Sequence, residues 1–317
     1  MNETQDSPLV AILGPTASGK SALGIWLAQQ LGGDVVACDS TQLYRGFDVG
    51  TAKPAPEDRG GVAHHLIDVL DGSEEATAGD YRVRAIEVLE TLSIEKRLPI
   101  FTVGTGLYLR ALLEGLADVP VRSEPLRQKL RESAVKGGPG HLHKVLRRLD
   151  PAAAKTIAAA DQQKLIRALE VCLLTRKPLT EVYQSGRKRL EGWRAIKIGL
   201  APERKALSQR VNARTETMLA RGWMEEVRRL IDSGLAEDAK PFDFIGYREL
   251  RMVLESKVTL EAARMAIQQA TRQYAKRQMT WFRREAAVCW LQGFGDDPAI
   301  QQAALERVRE QLGAAVS

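Results

Sequence analysis

The residues with the clearest chemical potential stand near the start of the chain: Gly14, Pro15, Thr16, Ala17, Ser18, Gly19, Lys20 and Ser21. Their spacing fits G-x-x-x-x-G-K-[ST], a pattern in which backbone N–H groups and a helix N-terminus surround phosphate oxygens. Lys20 would place a cation on the terminal phosphate, and the Ser21 hydroxyl can bind Mg²⁺. The alternative is an ordinary strand–turn–helix without a ligand. The pattern favours a phosphate-binding loop, but it does not identify the phosphate.

The segments on either side of this loop supply the strand and the helix that the motif requires. Residues 9–13 are an apolar run typical of a buried strand. Residues 21–31 carry leucines at 23, 27 and 31 on one helical stripe, and Gly32 and Gly33 end that helix.

Two further predicted strands, residues 34–38 and 99–103, also end in small and polar residues. Asp39, Ser40, Thr41 and Gln42 follow the first, and Gly104, Thr105 and Gly106 follow the second. In parallel α/β sheets, ligands bind outside the carboxyl ends of the strands, so Asp39 is expected to face the phosphate loop. An Asp at this place can equally cap a following helix. Both roles for Asp39 stay open at this stage.

The order of predicted elements defines the fold class. Strand and helix alternate through the first 115 residues, which predicts an α/β protein with a parallel sheet covered by helices, and the phosphate loop makes this a P-loop NTPase-like core. Residues 123–190 show helical periods and no convincing strand. Residues 195–200 read as a strand returning to the sheet, 288–291 as a late strand and the last 20 residues as a closing helix. We therefore expect a core of residues 1–122 and 191–317 and a mainly helical insertion of residues 123–190.

Composition limits the compartment and the class of site. The 317 residues include three cysteines, Cys38, Cys172 and Cys289, with no C-x-x-C pair, which argues for a reducing compartment and against a zinc site or a disulfide framework. The first residues are acidic where a signal peptide would be basic. No apolar run approaches membrane-spanning length. We expect a cytoplasmic protein. The pair His64 and His65 is expected to be structural, because no other Cys/His cluster accompanies it.

Charge is distributed unevenly along the chain. Residues 1–120 contain 9 Lys/Arg and 17 Asp/Glu, whereas residues 121–317 contain 37 and 23, so the basic charge follows the phosphate loop. A polyanionic partner larger than a nucleotide would explain the imbalance, and a solvated surface would explain any single cluster. The predicted helix 259–284 interleaves cations with Tyr274 and Trp281, which fits nucleic acid or an ordinary exposed helix.

Three function classes accommodate a phosphate loop in such a chain. A small-molecule kinase leaves the insertion and the basic part unexplained. A nucleotide-gated RNA-binding protein makes Asp39 incidental. Across almost its whole length, however, the sequence resembles bacterial tRNA dimethylallyltransferases. The matching segments are residues 14–21, Asp39-Ser40-x-Gln42 with Tyr44, 49–54, 64–68, 104–108, 167–170, 245–249, 271–278 and 280–283.

The resemblance implies a specific reaction. The phosphate loop would hold the diphosphate of dimethylallyl diphosphate, and the five-carbon group would pass to N6 of the adenosine 3′-adjacent to the tRNA anticodon. Because that base must leave its stack, a flipped adenine is expected, with a carboxylate accepting the N6 proton. The implied catalytic residues are Asp39, Lys20, Thr105 and Arg214, with Arg210 as the alternative arginine. Ser21 would bind Mg²⁺, the expected cofactor. A relative acting on free adenine nucleotides is the closest alternative.

The resemblance also implies a tRNA-binding set, with the insertion clasping the anticodon stem-loop and the enzyme acting as a monomer. Two departures from the family pattern are Lys164 in place of arginine and Arg176 in place of glycine. The tRNA-binding residues implied are Asp39, Ser40, Thr41, Gln42, Thr105, Arg127, Gln163, Lys164, Leu165, Ile166, Arg167, Gly246, Tyr247, Arg248, Lys276, Arg277 and Arg283.

Overall fold

A computed structural model describes residues 6–184 and 187–313. The acidic first five residues and the last four residues of the predicted closing helix lie outside this described part. Contacts divide the chain into one unit of Met1–Leu113 with Glu191–Ser317 and a second unit of Glu114–Leu190. Within the described residues, no helix combines the length and the apolarity needed to cross a bilayer.

The first unit is built on a six-stranded, all-parallel sheet, which confirms the predicted fold class. The strands lie in the order β3-β2-β4-β1-β5-β6. Their bounds are β1 Ser7–Leu13, β2 Gly33–Cys38, β3 His64–His65, β4 Leu98–Val103, β5 Trp193–Leu200 and β6 Val288–Leu291. Only β3 was not predicted, because two residues are too short a run to show a strand pattern.

Helices account for most of the remaining chain in both units. In the first unit they are α1 Lys20–Leu31, α2 Ala78–Ile94, α3 Gly106–Glu114, α9 Arg204–Ala220, α10 Trp223–Asp232, α11 Tyr247–Leu254, α12 Leu260–Phe282 and α13 Pro298–Gly313. In the second unit they are α4 Glu124–Gly137, α5 His141–Leu149, α6 Pro151–Thr156, α7 Gln162–Thr175 and α8 Leu179–Gln184. Two short 3₁₀ turns, Pro56–Arg59 and Lys240–Asp243, complete the set.

Alternation along the central strand explains why both faces of the sheet are covered. Successive side chains of a strand point to opposite faces. One face of β1 joins a hydrophobic cluster with α1 and α13, whose members include Val10, Ile12, Leu23, Leu27 and Leu305. The alternate positions 9, 11 and 13 are also fully buried. A strand apolar on both faces is expected for the centre of a parallel sheet.

The two histidines of β3 serve the sheet, as expected. The His64 ring nitrogen Nδ1 lies 2.9 Å from the Val62 carbonyl oxygen, and His65 Nε2 lies 3.0 Å from a carboxylate oxygen of Asp34. Asp34 also accepts hydrogen bonds from Arg97 at 2.6 and 2.9 Å. These contacts anchor the amino-terminal end of β2, at the opposite end from Asp39.

The helical unit has its own core, and its helix α7 ends without glycine. Residues from α4 to α8 form one buried cluster that includes Leu146, Leu165 and Leu169. Arg176 follows α7 in the left-handed conformation (φ 55°, ψ 26°). Glycine is preferred at that position because it has no Cβ. The arginine therefore adopts the left-handed conformation itself, at an energetic cost of about 1–2 kcal/mol.

Candidate active site

Three loops at the carboxyl edge of the sheet line one cavity of about 750 Å³. They follow β1, β2 and β4, and since β4 lies between β1 and β2, its loop separates the other two. The phosphate loop, residues 39–42 and Gly104 all contribute to the lining. Helices α9 and α12 add cationic and polar side chains: Arg210, Arg214, Tyr274, Arg277 and Gln278.

The loop after β1 turns sharply before α1 begins. Ala17 and Gly19 are both left-handed, with φ of 64° and 87°. The Lys20 side chain curls back over the loop, donating to the carbonyl oxygens of Gly14 at 2.8 Å and Pro15 at 2.9 Å. The buried Ser18 hydroxyl hydrogen-bonds to no other atom within the described part of the chain. The first N–H groups of α1 have no partner inside the helix, so this end favours an anion.

Lys20 is the strongly perturbed cation of the site. Burial lowers the pKa of its ammonium from 10.5 to about 7, because the charged form loses hydration; the negative charge of Asp39 opposes this shift, and the positive charge of Arg214 adds to it. An anion bound in the loop would stabilise the ammonium. The lysine is therefore poised to gain a proton when a phosphate group arrives.

Asp39 stands at the end of β2 in a turn of its own rather than at the start of a helix. Its Oδ1 accepts from the backbone N–H of Thr41 at 2.9 Å and from the Thr41 hydroxyl at 2.8 Å. Residues 40–43 form a turn, so the helix-capping role is wrong. A Cβ added to Gly104 would lie 1.8 Å from Asp39 Oδ2. A side chain at position 104 would therefore displace this carboxylate.

Thr105 connects the loops after β2 and β4. Its hydroxyl oxygen accepts from the backbone N–H of Ser40 at 3.0 Å, and the hydroxyl donates to Ser40 Oγ at 3.2 Å. The Thr105 backbone N–H donates to the carbonyl of Cys38 at 2.9 Å. Thr105 thereby fixes the turn that carries Asp39.

The two candidate arginines on α9 have different partners. Arg214 Nη1 lies 3.5 Å from the Thr16 hydroxyl, and burial lowers the pKa of its guanidinium while the charge of Asp39 raises it. Arg210 instead forms a two-pronged ion pair with Asp296 at 2.6 and 2.7 Å and stacks over Phe294. The geometry favours Arg214 as the arginine that faces the phosphate loop.

Gln278 of α12 is a site residue that sequence reasoning did not single out. Its Oε1 accepts from the backbone N–H of Thr16 at 2.7 Å, and its Nε2 donates to the Gly104 carbonyl at 2.8 Å. Tyr274, one turn earlier, has its hydroxyl 3.4 Å from the same carbonyl. The side chain of Gln278 therefore ties the phosphate loop to the loop after β4. Only its place within a matched motif could have indicated it.

Comparison with known proteins identifies the family. A family model described as IPP transferase matches residues 42–285, and one described as isopentenyl transferase matches residues 7–73. The chain belongs to the IPP transferase family. The tRNA dimethylallyltransferase of Koribacter versatilis is 50% identical over 304 residues, covering 96% of this chain and 99% of the relative. That of Solibacter usitatus is 46% identical over 306 residues, covering 96% and 99%.

A solved structure of the family is similar to this chain. The full-length tRNA isopentenylpyrophosphate transferase of Bacillus halodurans is 35% identical to this chain, with a TM-score of 0.73 and coverage of 98% of both chains. At the carboxyl edge of the sheet, the loop after β1 has the form of an anion-binding helix N-terminus.

The residues predicted to contact tRNA in the first unit divide into exposed and buried groups. Gln42 is half-buried and donates from Nε2 to the Thr51 carbonyl at 3.4 Å. Arg248 is exposed and pairs with Glu249 at 3.1 Å. On and just after α12, three predicted cations are exposed: Lys276, Arg277 and Arg283.

Tyr247 and Gly246 are corrections to that prediction. Tyr247 is fully buried, and its hydroxyl donates to Glu226 at 2.6 Å, so its side chain belongs to the core and not to an RNA-facing surface. Gly246 is buried as well, and a Cβ added there would lie 2.0 Å from the Trp223 ring. Both residues shape the cavity wall from behind.

In the helical unit, the matched segment 163–167 is likewise split by the period of α7. Gln163 and Lys164 are exposed. Leu165 and Ile166 are 1% and 5% exposed and pack in the core, which corrects their assignment to a tRNA-facing surface. Residues three and four apart share a helix face, so a contiguous motif on a helix necessarily includes core positions.

Two predicted tRNA contacts of the helical unit converge on one buried acid. Arg167 donates to Glu170 at 2.6 Å and to the Pro120 carbonyl at 3.1 Å. Arg127 lies 3.7 Å from the same carboxylate, which is fully buried. Both guanidinium groups keep partial exposure, at 17% and 25% of their side chains. Glu170 therefore fixes their positions.

The residues at the phosphate loop fit a weakly protein-bound metal. Among the described residues, no three His, Cys, Asp or Glu side chains form a metal-binding cluster. Mg²⁺ is commonly held by one or two protein oxygens together with phosphate oxygens and water. The exposed Ser21 hydroxyl in the first turn of α1 and the buried Ser18 hydroxyl are oxygen donors of that kind.

Proposed function

We propose that this chain transfers the dimethylallyl group of dimethylallyl diphosphate to N6 of the adenosine immediately 3′ of the anticodon in tRNA. One observation carries the proposal: a phosphate loop with two desolvated cations, Lys20 and Arg214, lines the same cavity as the carboxylate of Asp39. Membership of the IPP transferase family and the activity for which its relatives are named agree with it.

In the proposed reaction the lone pair of adenine N6 forms a bond to C1 of the prenyl group as the bond from C1 to the diphosphate oxygen breaks. The diphosphate leaves with that electron pair, and the N6 proton passes to Asp39. Lys20, Arg214 and the loop amides stabilise the charge that develops on the leaving group. Thr105 positions Asp39 through the Ser40 amide, and Thr16 presents its hydroxyl beside Arg214.

Prenyl diphosphate transferases generally use a divalent metal, and we propose Mg²⁺ here. Ser21 would hold it together with diphosphate oxygens. When bound, the metal would neutralise part of the charge of the leaving diphosphate.

The proposed acceptor is the anticodon stem-loop of tRNA, bound by a monomer. The net positive charge of residues 121–317 supports a polyanionic partner. The exposed cations named above, Lys164 in the helical unit and Lys276, Arg277 and Arg283 in the first unit, are the proposed backbone contacts, with Arg127 and Arg167 held by Glu170. A tRNA substrate would place the enzyme in the cytoplasm.

A transfer assay with labelled dimethylallyl diphosphate tests the function. Unmodified tRNA, an anticodon stem-loop and AMP are offered side by side with Mg²⁺, using the wild type and Asp39→Asn, which keeps the shape but not the charge. We expect label in tRNA and stem-loop, none in AMP, and at least a hundredfold slower transfer by the variant, from loss of the general base. Label in AMP alone would instead indicate a free-nucleotide enzyme, and phosphate transfer from ATP would indicate a kinase.

A further inference from the structure

Glu226 is a buried carboxylate that lies behind the cavity wall. The proposed reaction gives this carboxylate no role. It lies in the first turn of α10 and is 2% exposed. Its Oε2 accepts from the backbone N–H groups of Asp48 at 3.0 Å and Val49 at 2.7 Å. Its Oε1 accepts from the Gly50 N–H at 3.2 Å and from the Tyr247 hydroxyl at 2.6 Å. Four donors thus point at one carboxylate.

This arrangement adds an acceptor from outside the loop to the hydrogen bonds within it, such as those from Ala52 N–H to the Val49 carbonyl and from Lys53 N–H to the Asp48 carbonyl. Three successive backbone N–H groups pointing inward form a concavity that attracts an anion. Here the protein supplies the anion from its own helix α10. The other end of the loop is held by Lys53, whose ammonium contacts the Tyr44 carbonyl, Asp48 at 2.8 Å and Asp68 at 2.5 Å.

This loop also packs closely against Trp223 and Tyr247. A Cβ added to Gly50 would lie 2.1 Å from Trp223 Nε1, and one added to Gly246 would lie 2.0 Å from the same ring. Trp223 itself is 2% exposed and borders the cavity. The loop, the indole and the Tyr247 phenol therefore form one layer, and Glu226 supplies its central hydrogen-bond acceptor.

The loop in turn orients a side chain that faces the cavity. The Thr51 carbonyl accepts from Gln42 Nε2, so the Gln42 amide oxygen must point the other way. A glutamine reads adenine by accepting from N6 and donating to N7. With one amide hydrogen held by Thr51, the oxygen and the second hydrogen remain for an adenine edge.

We propose that Glu226 is a positioning residue for the acceptor base: through the amides of residues 48–50 it fixes the Thr51 carbonyl and hence the orientation of Gln42. This inference rests on the proposed prenyl transfer to tRNA. It predicts that the two substrates depend on different residues of the cavity. Glu226 affects the adenine side, whereas the diphosphate side depends on the phosphate loop and Arg214.

Glu226→Gln tests the proposal, because it replaces one acceptor oxygen with an NH₂ group that faces two donors. We expect the KM for the anticodon stem-loop to rise about tenfold or more, since a misoriented Gln42 loses its pair with adenine, which is worth about 1–3 kcal/mol, and each 1.4 kcal/mol is tenfold. The Kd for dimethylallyl diphosphate should stay within about twofold of the wild type. Tyr247→Phe removes one donor and leaves the three amides paired, so its effect on the same KM should be smaller, about threefold.

Asp34→Asn is the matched control. It removes the charge of another buried carboxylate, at the amino-terminal end of β2, which contacts Arg97 and His65 and none of residues 48–51. We expect it to lower the melting temperature as Glu226→Gln does, but to leave the KM for the stem-loop unchanged. If Glu226→Gln does not fold, the same two constants, the KM for the stem-loop and the Kd for dimethylallyl diphosphate, are measured for Tyr247→Phe and Glu226→Asp. Glu226→Asp keeps the charge.

The proposal is overturned if Glu226→Gln leaves the KM for the stem-loop within twofold of the wild type. It is also overturned if both substrates are weakened equally in Glu226→Gln and in Asp34→Asn, because Glu226 would then serve stability alone. The two failures can be told apart. A wild-type protein that transfers no label to any tRNA would refute the proposed function itself. An active wild type with an unaffected Glu226→Gln variant would refute only the role of Glu226.

Discussion

Burial of Lys20 predicts an unusual dependence of diphosphate affinity on pH. The pKa of the free lysine is lowered to about 7, so most of the side chain is neutral at pH 8. A bound diphosphate favours the ammonium and returns its pKa toward the ordinary value of 10.5. The complex therefore holds one proton more than the free protein between these two values. The contribution of Lys20 to the affinity should be largest below pH 7 and should fall as the pH rises above it.

The size of the effect follows from the free pKa. Each pH unit above about 7 costs about 1.4 kcal/mol, or a factor of ten in Kd, as long as the bound lysine stays charged. Because the free lysine is already half neutral at pH 7, the Kd for dimethylallyl diphosphate should rise about fiftyfold between pH 7 and pH 9. A terminal phosphate loses its last proton near pH 6, so the charge of the ligand changes little across this range.

Titration calorimetry at pH 8 checks the prediction. The binding enthalpy is measured in two buffers of different ionisation enthalpy, and the slope should indicate uptake of roughly nine-tenths of a proton, the fraction neutral one unit above the pKa. Lys20→Met should bind weakly and without dependence on pH. A wild-type Kd that is constant from pH 7 to pH 9, with no proton uptake, would show that the lysine stays charged in the free loop and would refute the argument.

Three substitutions test the remaining contacts. Gly104→Ala should cut transfer at least tenfold with little change in melting temperature, because its Cβ would occupy the place of Asp39 Oδ2; a wild-type rate would mean that the carboxylate is free to move. Arg214→Lys should raise the Kd for dimethylallyl diphosphate by about tenfold, because the lysine lacks the guanidinium fork. Arg210→Lys should change this Kd less than about threefold. If equilibrium binding shows the larger effect for Arg210→Lys, Arg210 and not Arg214 is the arginine that contacts the diphosphate. Gln278→Leu should lower the affinity for the same ligand by about tenfold, because a loop amide loses its acceptor; unchanged binding would show that the phosphate loop is held without it.

The sequence predicted the parts of this site that are formed by one continuous segment. It did not predict the parts that depend on strand order or on contacts between distant segments. Residues 14–21 carry their own strand, turn and helix signals, so the loop could be located from the sequence. That a side chain at position 104 would displace the Asp39 carboxylate depends on β4 lying between β1 and β2, a strand order that no local pattern encodes. Gln278 reaches Thr16 across 262 positions, so its role appears only once the chain is folded.

The family resemblance had a different limit, since a matched motif mixes residues that contact a substrate with residues that support them. Within 163–167 the helical period separates the two, with Lys164 exposed and Leu165 in the core. In the matched segment around Tyr247, helical periodicity does not separate the two kinds of residue. Only the hydrogen bond from the Tyr247 phenol to Glu226 shows that Tyr247 supports the cavity wall from the buried side. Glu226 lies in none of the matched segments, yet it is the acceptor on which the 48–50 loop depends. A motif therefore indicates where a surface is built, and the hydrogen-bond partners of its buried members indicate how it is held.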